Sequence, residues 1–535
     1  MPGTPMVSPR VCGNTGLHFP GTMPEPRAAS RSNLQQERPI VTEQLSTSDA
    51  NASRDSFLSL FPSIILPMFL AVLDQTIIAA ALPEIAASLG HVQYISWVVV
   101  AYLVANTVAA PVYGRLGDLF GRRKLMLGAL VVFSVASVLC ALAPRMELLV
   151  MARLLQGVGG GGLMALTQAL VGEAVPPRER ARFQDYLAAV AVSANALGPV
   201  VGGYLTQHLG WQAIFLVNVP LGVVAFLLIL RLKANPGIGE RRPFDVRGLL
   251  FLSIFVASTL IGFSQAQDLT AGAAVQFSVL LVTAVIALVL LIRHEAKVEY
   301  PLLPIKLLRR PVIWRTDALA ACHGATFVSL ITFIPLYMRV VRGVTVSEIG
   351  LLVLPLSVGV GLGSLMTGRA VSRTGRTAIF PSLGLSAATA TLVVLALAGD
   401  KVGTTGLSAL LGLTAVFMGT VMGVVQVTVQ SAAGPHVLGA AAASVQLSRS
   451  IGAALGTGLV SLVLFAALAA HDAEIARLFH ELIQRGPDML TVLSQPVRVH
   501  LQEEVRGAFV AAFLTIAGFA AMGTALAWSI PVRRL

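Results

Sequence analysis

The sequence predicts an all-α, polytopic membrane protein of about 14 transmembrane helices, built as two pseudo-symmetric six-helix bundles with two further helices inserted between them. Three observations predict this class. Of 535 residues, 55% are hydrophobic and only 12% charged, and the mean hydropathy is +0.79. A soluble chain carries about a quarter charged residues, so the bilayer must be the solvent. The apolar runs are about 20 residues or longer and do not alternate, which selects helices over barrel strands. Finally, Gly114-Arg115-Leu116-Gly117-Asp118-Leu119-Phe120-Gly121-Arg122 returns later as Gly368-Arg369-Ala370-Val371-Ser372-Arg373-Thr374-Gly375-Arg376, with Gly, Arg, Gly and Arg in register. Each copy ends an apolar run, the second and the tenth, which makes spans 7 and 8 an insertion between equivalent halves.

Taken in order, residues 1–55 hold no apolar stretch and are rich in Pro, Ser, Thr, Asn and Arg; they read as a disordered tail, neither signal peptide nor helix. Residues 56–235 form the first bundle, with spans near 57–82, 95–114, 124–143, 148–171, 184–205 and 212–231. Residues 236–310 carry two additional helices, near 248–267 and 274–292, between basic connectors. Residues 311–535 form the second bundle, with spans near 316–338, 346–367, 379–398, 405–429, 440–469 and 508–530. A longer loop near 470–506 has an amphipathic stretch at Ile475, Leu478, Phe479 and Leu482, read as a solvated helical cap.

The formal charge of +12 does not indicate a nucleic-acid partner, because Lys and Arg collect in every other short loop. That bias places those loops, and both termini, in the cytoplasm. The expected location is the inner (plasma) membrane. Cys12, Cys140 and Cys322 are too scattered for a metal or disulfide pattern. No nucleotide, zinc or nucleophile motif is present, so neither an enzyme nor a cofactor-dependent protein is expected. The run Gly157-Val158-Gly159-Gly160-Gly161-Gly162 lies inside an apolar segment with no strand before it, which excludes a dinucleotide loop.

Charges within apolar runs are the candidate functional groups, since each costs at least about 2.5–3.5 kcal/mol at the bilayer centre. Asp74 lies about 16 residues into span 1, roughly 24 Å along a helix, and Arg153 enters span 4 from the opposite face to a similar depth. The expectation is an interaction between them, direct or through water. Asp74 is read as the proton-binding or substrate-cation site, with a structural Asp–Arg pair as the alternative. Gln156, Arg449 in span 13 and His323 in span 9 complete the coupling candidates, His323 because imidazole titrates near neutrality. The loop Gly114, Arg115, Gly117, Asp118, Gly121, Arg122, Arg123 is read as a gate: glycines permit close helix approach, and Asp118 is placed to cap a helix or pair with arginine. In span 5, Gly198 and Gly202 provide a close-packing face, Pro199 a kink, and Gly203 a further small residue.

These segments resemble the fourteen-helix drug:proton antiporter branch of the major facilitator superfamily (EmrB/QacA-type) over residues 57 to 530. Leu73-Asp74 through Leu82-Pro83 is similar to that branch's first-helix motif, and Gly114 to Lys124 to the superfamily's signature loop. Arg153-Leu-Leu-Gln156-Gly157 is similar to the fourth-helix motif, whose arginine the family links to proton coupling. Gly198-Pro199-Val-Val-Gly202-Gly203 is similar to the fifth-helix antiporter motif, and Trp211, Phe215, Asn218 and Pro220 continue the pattern, as does Gln446 to Gly452. The resemblance implies alternating access, with the proton gradient driving multidrug efflux of small lipophilic or monocationic compounds. Export of a native metabolite, siderophore or lipid is the alternative, and a proton-coupled importer a further one that the span 5 motif disfavours. The implied partners are the small-molecule substrate, protons and the lipid bilayer; recruitment of periplasmic adaptor proteins is left open. Two departures stand out: Ser372 replaces the acid in the second loop copy, and Asp317 and Glu348 lie at helix edges rather than at the centre of a late helix.

Overall fold

The computed structural model describes residues 38–531, except 90–94, 176, 233–243, 266–270, 304, 345, 435–436 and 486–493. It is helical throughout its long elements: α1 Arg38–Leu89, α2 Ile95–Phe120, α3 Arg122–Ala141, α4 Met146–Ala174, α5 Pro177–Leu209, α6 Ala213–Leu216, α7 Asn218–Leu230, α8 Val246–Gln265 and α9 Ala271–Glu295. These are followed by α10 Ile305–Leu308, α11 Pro311–Val340, α12 Val346–Thr374, α13 Ile379–Ala398, α14 Thr404–Ala433, α15 Leu438–His471, α16 Ala473–Arg485 and α17 Gln495–Ser529. Among the described residues, 14 segments are long and apolar enough to cross a membrane, from Phe61–Leu82 to Gln495–Ser529. Each expected span has its counterpart, although α6 and α7 divide the sixth.

The chain separates into two units, Met1–Ser56 and Phe57–Leu535. Helix α1 starts at Arg38, so helix occupies 38–55, where a tail without helix was expected. No Gly or Pro interrupts residues 40–61, and extending a helix that an apolar segment has already nucleated avoids the cost of a first turn. Residues 1–37 lie outside the described residues.

Within the larger unit, close backbone packing organises the first bundle. In α4, Gly157 and Gly161 face α2, where a Cβ would strike the carbonyl oxygens of Tyr102 and Asn106. On the adjoining side, a Cβ at Gly159 would stand 2.7 Å from the Phe133 amide nitrogen of α3. The glycine run is therefore what lets α4 sit between two neighbours at backbone contact, where dispersion between helices replaces the hydrophobic effect. In the second bundle α12 packs on α14 and α11 on α15. The inserted α8 and α9 pair with each other, and α8 also lies against α2 and α15 through an apolar layer that includes Leu252, Val256, Val108 and Leu447.

The cap is less solvated than its charge suggested. In α16, Ile475, Phe479 and Leu482 are buried with Leu468 and Leu501 in the largest apolar cluster, so the amphipathic stripe docks inward. Helix α17 begins at Gln495, which makes the end of the expected loop helical.

Candidate functional site

Helices α1, α3, α4 and α7 bring a hydrogen-bonded polar cluster together in the apolar interior of the first bundle. Asp74 (0% exposed) and Arg153 (1% exposed) form a direct ion pair, Nη1 to Oδ2 at 2.6 Å. The other carboxylate oxygen accepts from Gln156 Nε2 and from Asn218 Nδ2, both at 2.8 Å. Gln156 also donates to Ser137 Oγ at 2.9 Å and accepts at Oε1 from Arg153 at 2.7 Å. Arg153 Nε donates to the Val98 carbonyl at 3.3 Å, and its guanidinium stacks 4.2 Å over the Tyr102 ring. Tyr102 in turn donates to the Ala71 carbonyl, one turn before Asp74. A buried carboxylate is tolerated only when paired and hydrogen-bonded, and this one has three donors.

The helical register explains the convergence. Arg153 and Gln156 are three residues apart and so share one face of α4, opposite the face that meets solvent or lipid at Met151, Leu154 and Leu155. Two residues beyond Asp74, Gly198 of α5 packs on Thr76, and Gly202 on the Ile77 carbonyl. The span 5 glycines thus press α5 onto the segment of α1 that carries the acid. Pro199 is exposed, and Gly203 meets nothing within 4 Å, so the packing belongs to Gly198 and Gly202.

A second polar cluster joins the two halves at the 114–124 loop. Asp118 accepts from the amides of Gly439 (3.1 Å) and Ala440 (3.3 Å), the first turn of α15. The same carboxylate pairs with Arg122 at 2.8 Å, and Arg122 also binds Glu173 of α4. This is a helix N-terminus receiving an anion, with free amides and the helix dipole acting together. Gly114 lies against Gly439 closely enough that a Cβ would meet its carbonyl oxygen at 2.6 Å. Gln430 of α14 adds a bond to the Gln168 carbonyl of α4 at 3.0 Å. Gly121, at φ 89°, supplies the left-handed turn between α2 and α3, and Arg123 closes on the Ile229 and Leu230 carbonyls at the end of α7. Arg115 is half-buried beside Leu119, lining a cavity under α8. In the second copy, Ser372 bonds only to Arg369 of its own helix among the described contacts.

The remaining candidates belong to the other half. Arg449 is half-buried and bonds Gln446 on its own helix. His323 is 3% exposed, stacks on Phe327 at 6.0 Å, and its Nε2 has no hydrogen-bond partner among the described residues. The two sit on facing helices, since Gly324 packs against the Arg449 carbonyl. Asp317, in the second turn of α11, is 7% exposed and accepts from Ser444 Oγ at 3.4 Å. Sequence reading missed Ser137 and the role of Asn218, which are polar letters inside apolar runs with no charge to draw notice.

Comparison with known proteins agrees with this architecture. The family profile of the Major Facilitator Superfamily matches residues 64–457. The chain belongs to that superfamily. The MFS chain is 33% identical over 400 residues to an MFS-type transporter of Mycobacterium tuberculosis, covering 74% of this chain and 58% of that protein. It is 31% identical over 408 residues to the multidrug transporter protein MdtP of Bacillus subtilis, covering 76% of this chain and 75% of that one. Among solved structures, the human organic anion transporter MFSD10 superposes with a TM-score of 0.61 at 16% identity, over 88% of this chain and 99% of that chain. That likeness establishes the fold. The chain spans 58% of the length of that mycobacterial relative, and the superfamily to which it belongs is one of transporters.

Proposed function

We propose that this MFS transporter is a proton-coupled antiporter of the plasma membrane that exports small lipophilic or monocationic compounds. The observation that carries the reading is the Asp74–Arg153 pair, an ionisable couple buried in the first bundle and braced by Gln156 and Asn218. Protonating Asp74 removes its charge and one acceptor site, which releases Arg153 and unbalances the network. Because Gly198 and Gly202 of α5 rest on Thr76 and Ile77, a rearrangement at Asp74 reaches the packing between α1 and α5. The multidrug name of the Bacillus relative supports a drug-like cargo.

In this reading the 114–124 loop faces the cytoplasm, as its basic residues imply, and both termini lie on that side. Asp118, holding the first turn of α15, is then the lock that keeps the cytoplasmic side shut. The cycle runs as proton in, compound out. One charge moving down 100 mV supplies about 2.3 kcal/mol, equivalent to a concentration ratio of tens.

The test is dye or drug efflux from a pump-deficient host with and without a protonophore, alongside Asp74→Asn. Efflux should collapse on both treatments while the protein is still made. Unchanged efflux of a confirmed substrate by Asp74→Asn at normal protein level would overturn the reading.

A further inference from the structure

The inserted helices carry two acids that the transport network does not use. Asp245 stands immediately before α8 and Glu295 ends α9, at the same end of the pair. The Glu295 residue is 2% exposed and the Asp245 side chain 5%. One oxygen of each is satisfied: Asp245 Oδ1 accepts from the Gly248 amide and meets His294 Nε2, both at 2.8 Å, while Glu295 Oε2 accepts from the Leu303 amide at 3.2 Å. The second oxygens, Asp245 Oδ2 and Glu295 Oε1, are buried and have no hydrogen-bond partner among the described residues.

Those two oxygens converge. Each would lie 2.5 Å from a Cβ placed on Gly248, so they are at most twice that distance apart. Among the described residues the layer packed on α8 is apolar, with Val104, Val108 and Val112 from α2 and Leu447 and Ile451 from α15, while α2 also brings Arg115 to the cavity beside Asp245. His294 is bonded to Asp245 on its far oxygen. Arg115 and Tyr300 line a cavity of about 60 Å³ that reaches Asp245, and Arg247 and Glu299 line an adjoining cleft. Two buried carboxylates this close repel one another when both carry charge, and one proton held between them relieves that repulsion.

We propose that Asp245 and Glu295 share one proton, forming a proton-binding site at the end of the inserted helix pair, separate from Asp74. The cavity supplies water access to it. Loss of the proton sets the two acids against each other and drives the ends of α8 and α9 apart. Helix α8 lies against α2 and α15, the two helices joined by the Asp118 lock, so the site is positioned to tighten the lock when protonated. On the proposed orientation that makes it a sensor of cytoplasmic acidity. Only the orientation and the effect on the lock rest on the transport reading; the shared proton does not.

Infrared difference spectroscopy on the purified full-length chain tests the site without any substrate. Wild type minus Glu295→Gln at neutral pH should show one protonated carboxyl band, and Asp245→Asn should lower the proton affinity of the remaining Glu295 by roughly ten-fold, one pH unit. A difference spectrum holding only ionised carboxylate would overturn the proposal, as would Glu295 titrating identically with and without Asp245. Should Glu295→Gln fail to fold, Asp245→Asn against wild type decides alone. If the bands appear but efflux by Glu295→Gln keeps the wild-type dependence on cytoplasmic pH, the shared proton stands and the link to the lock is overturned.

Discussion

Gly114 and Gly439, on opposite halves of the molecule, face each other across a gap that admits no side chain. A Cβ on the first would stand 2.6 Å from the carbonyl oxygen of the second, and a Cβ on the second would strike the carbonyl oxygen of the first. Backbone contact of this kind brings the Gly439 and Ala440 amides within reach of Asp118. Gly439→Val should prevent this closure. Spin labels on α2 and α15 should report a longer and broader distance than wild type, and transport should fall by about ten-fold or more, equivalent to at least 1.4 kcal/mol against the closed state. An unchanged distance distribution would show that the contact is dispensable.

Asp118→Ala removes the acceptor for both amides and leaves Arg122 with Glu173 and the Ala169 carbonyl. Hydrogen bonds to a charged group contribute about 1.5–3 kcal/mol, so the closed population should drop by roughly 10- to 100-fold relative to the open one. Asp118→Asn retains one acceptor oxygen and should lie between. The same label pair measures both.

Arg153→Ala leaves Asp74 buried and unpaired, at a cost of about 3–5 kcal/mol. Thermal unfolding in detergent should show a marked loss of stability, and the double variant Arg153→Ala with Asp74→Asn should recover much of it. Arg153→Lys keeps the charge yet loses the planar fork that reaches Asp74, Gln156 and Val98 together, so stability should be partly kept while transport falls.

Asn218→Ala removes one of three donors to Asp74 and should weaken transport less than Asp74→Asn does. A shift in the pH profile of efflux, with protein level unchanged, would distinguish participation in the network from a packing role. An unchanged profile would assign Asn218 to packing.

Outside the membrane, Asp472 caps α16: Oδ1 accepts from the amides of Glu474 at 2.8 Å and Ile475 at 3.2 Å. The Ile475 and Glu474 amides, with His500 nearby, lower its carboxyl pKa. A lowered value stabilises the cap above the unfolded carboxyl pKa, and that stability is lost as pH falls through the folded one. Limited proteolysis of α16 should therefore accelerate in acid, and Asp472→Ala should show the fast rate at neutral pH.

Much of the site was legible because charge in an apolar run is expensive and therefore conspicuous. Asp74 and Arg153 drew notice for that reason, and their depths along two helices running in opposite directions were enough to expect them to meet. Asp118 drew notice through the repeat. The amides that Asp118 binds carry no letter of their own, so Gly439 and Ala440 could not be read. Asn218 and Ser137 are uncharged, and nothing local distinguishes a polar residue that reaches Asp74 from one that bonds its own helix.

Hydropathy alone determined the number of spans and their helical form, because a bilayer leaves the backbone no other way to satisfy its polar groups. The loop repeat likewise fixed the division into halves with an inserted pair. The tertiary structure decided which helices touch. It set α4 against both α2 and α3 through one glycine run, and it set Asp245, before α8, beside Glu295, at the end of α9. Those choices depend on packing between distant segments at van der Waals range, which local periodicity does not encode.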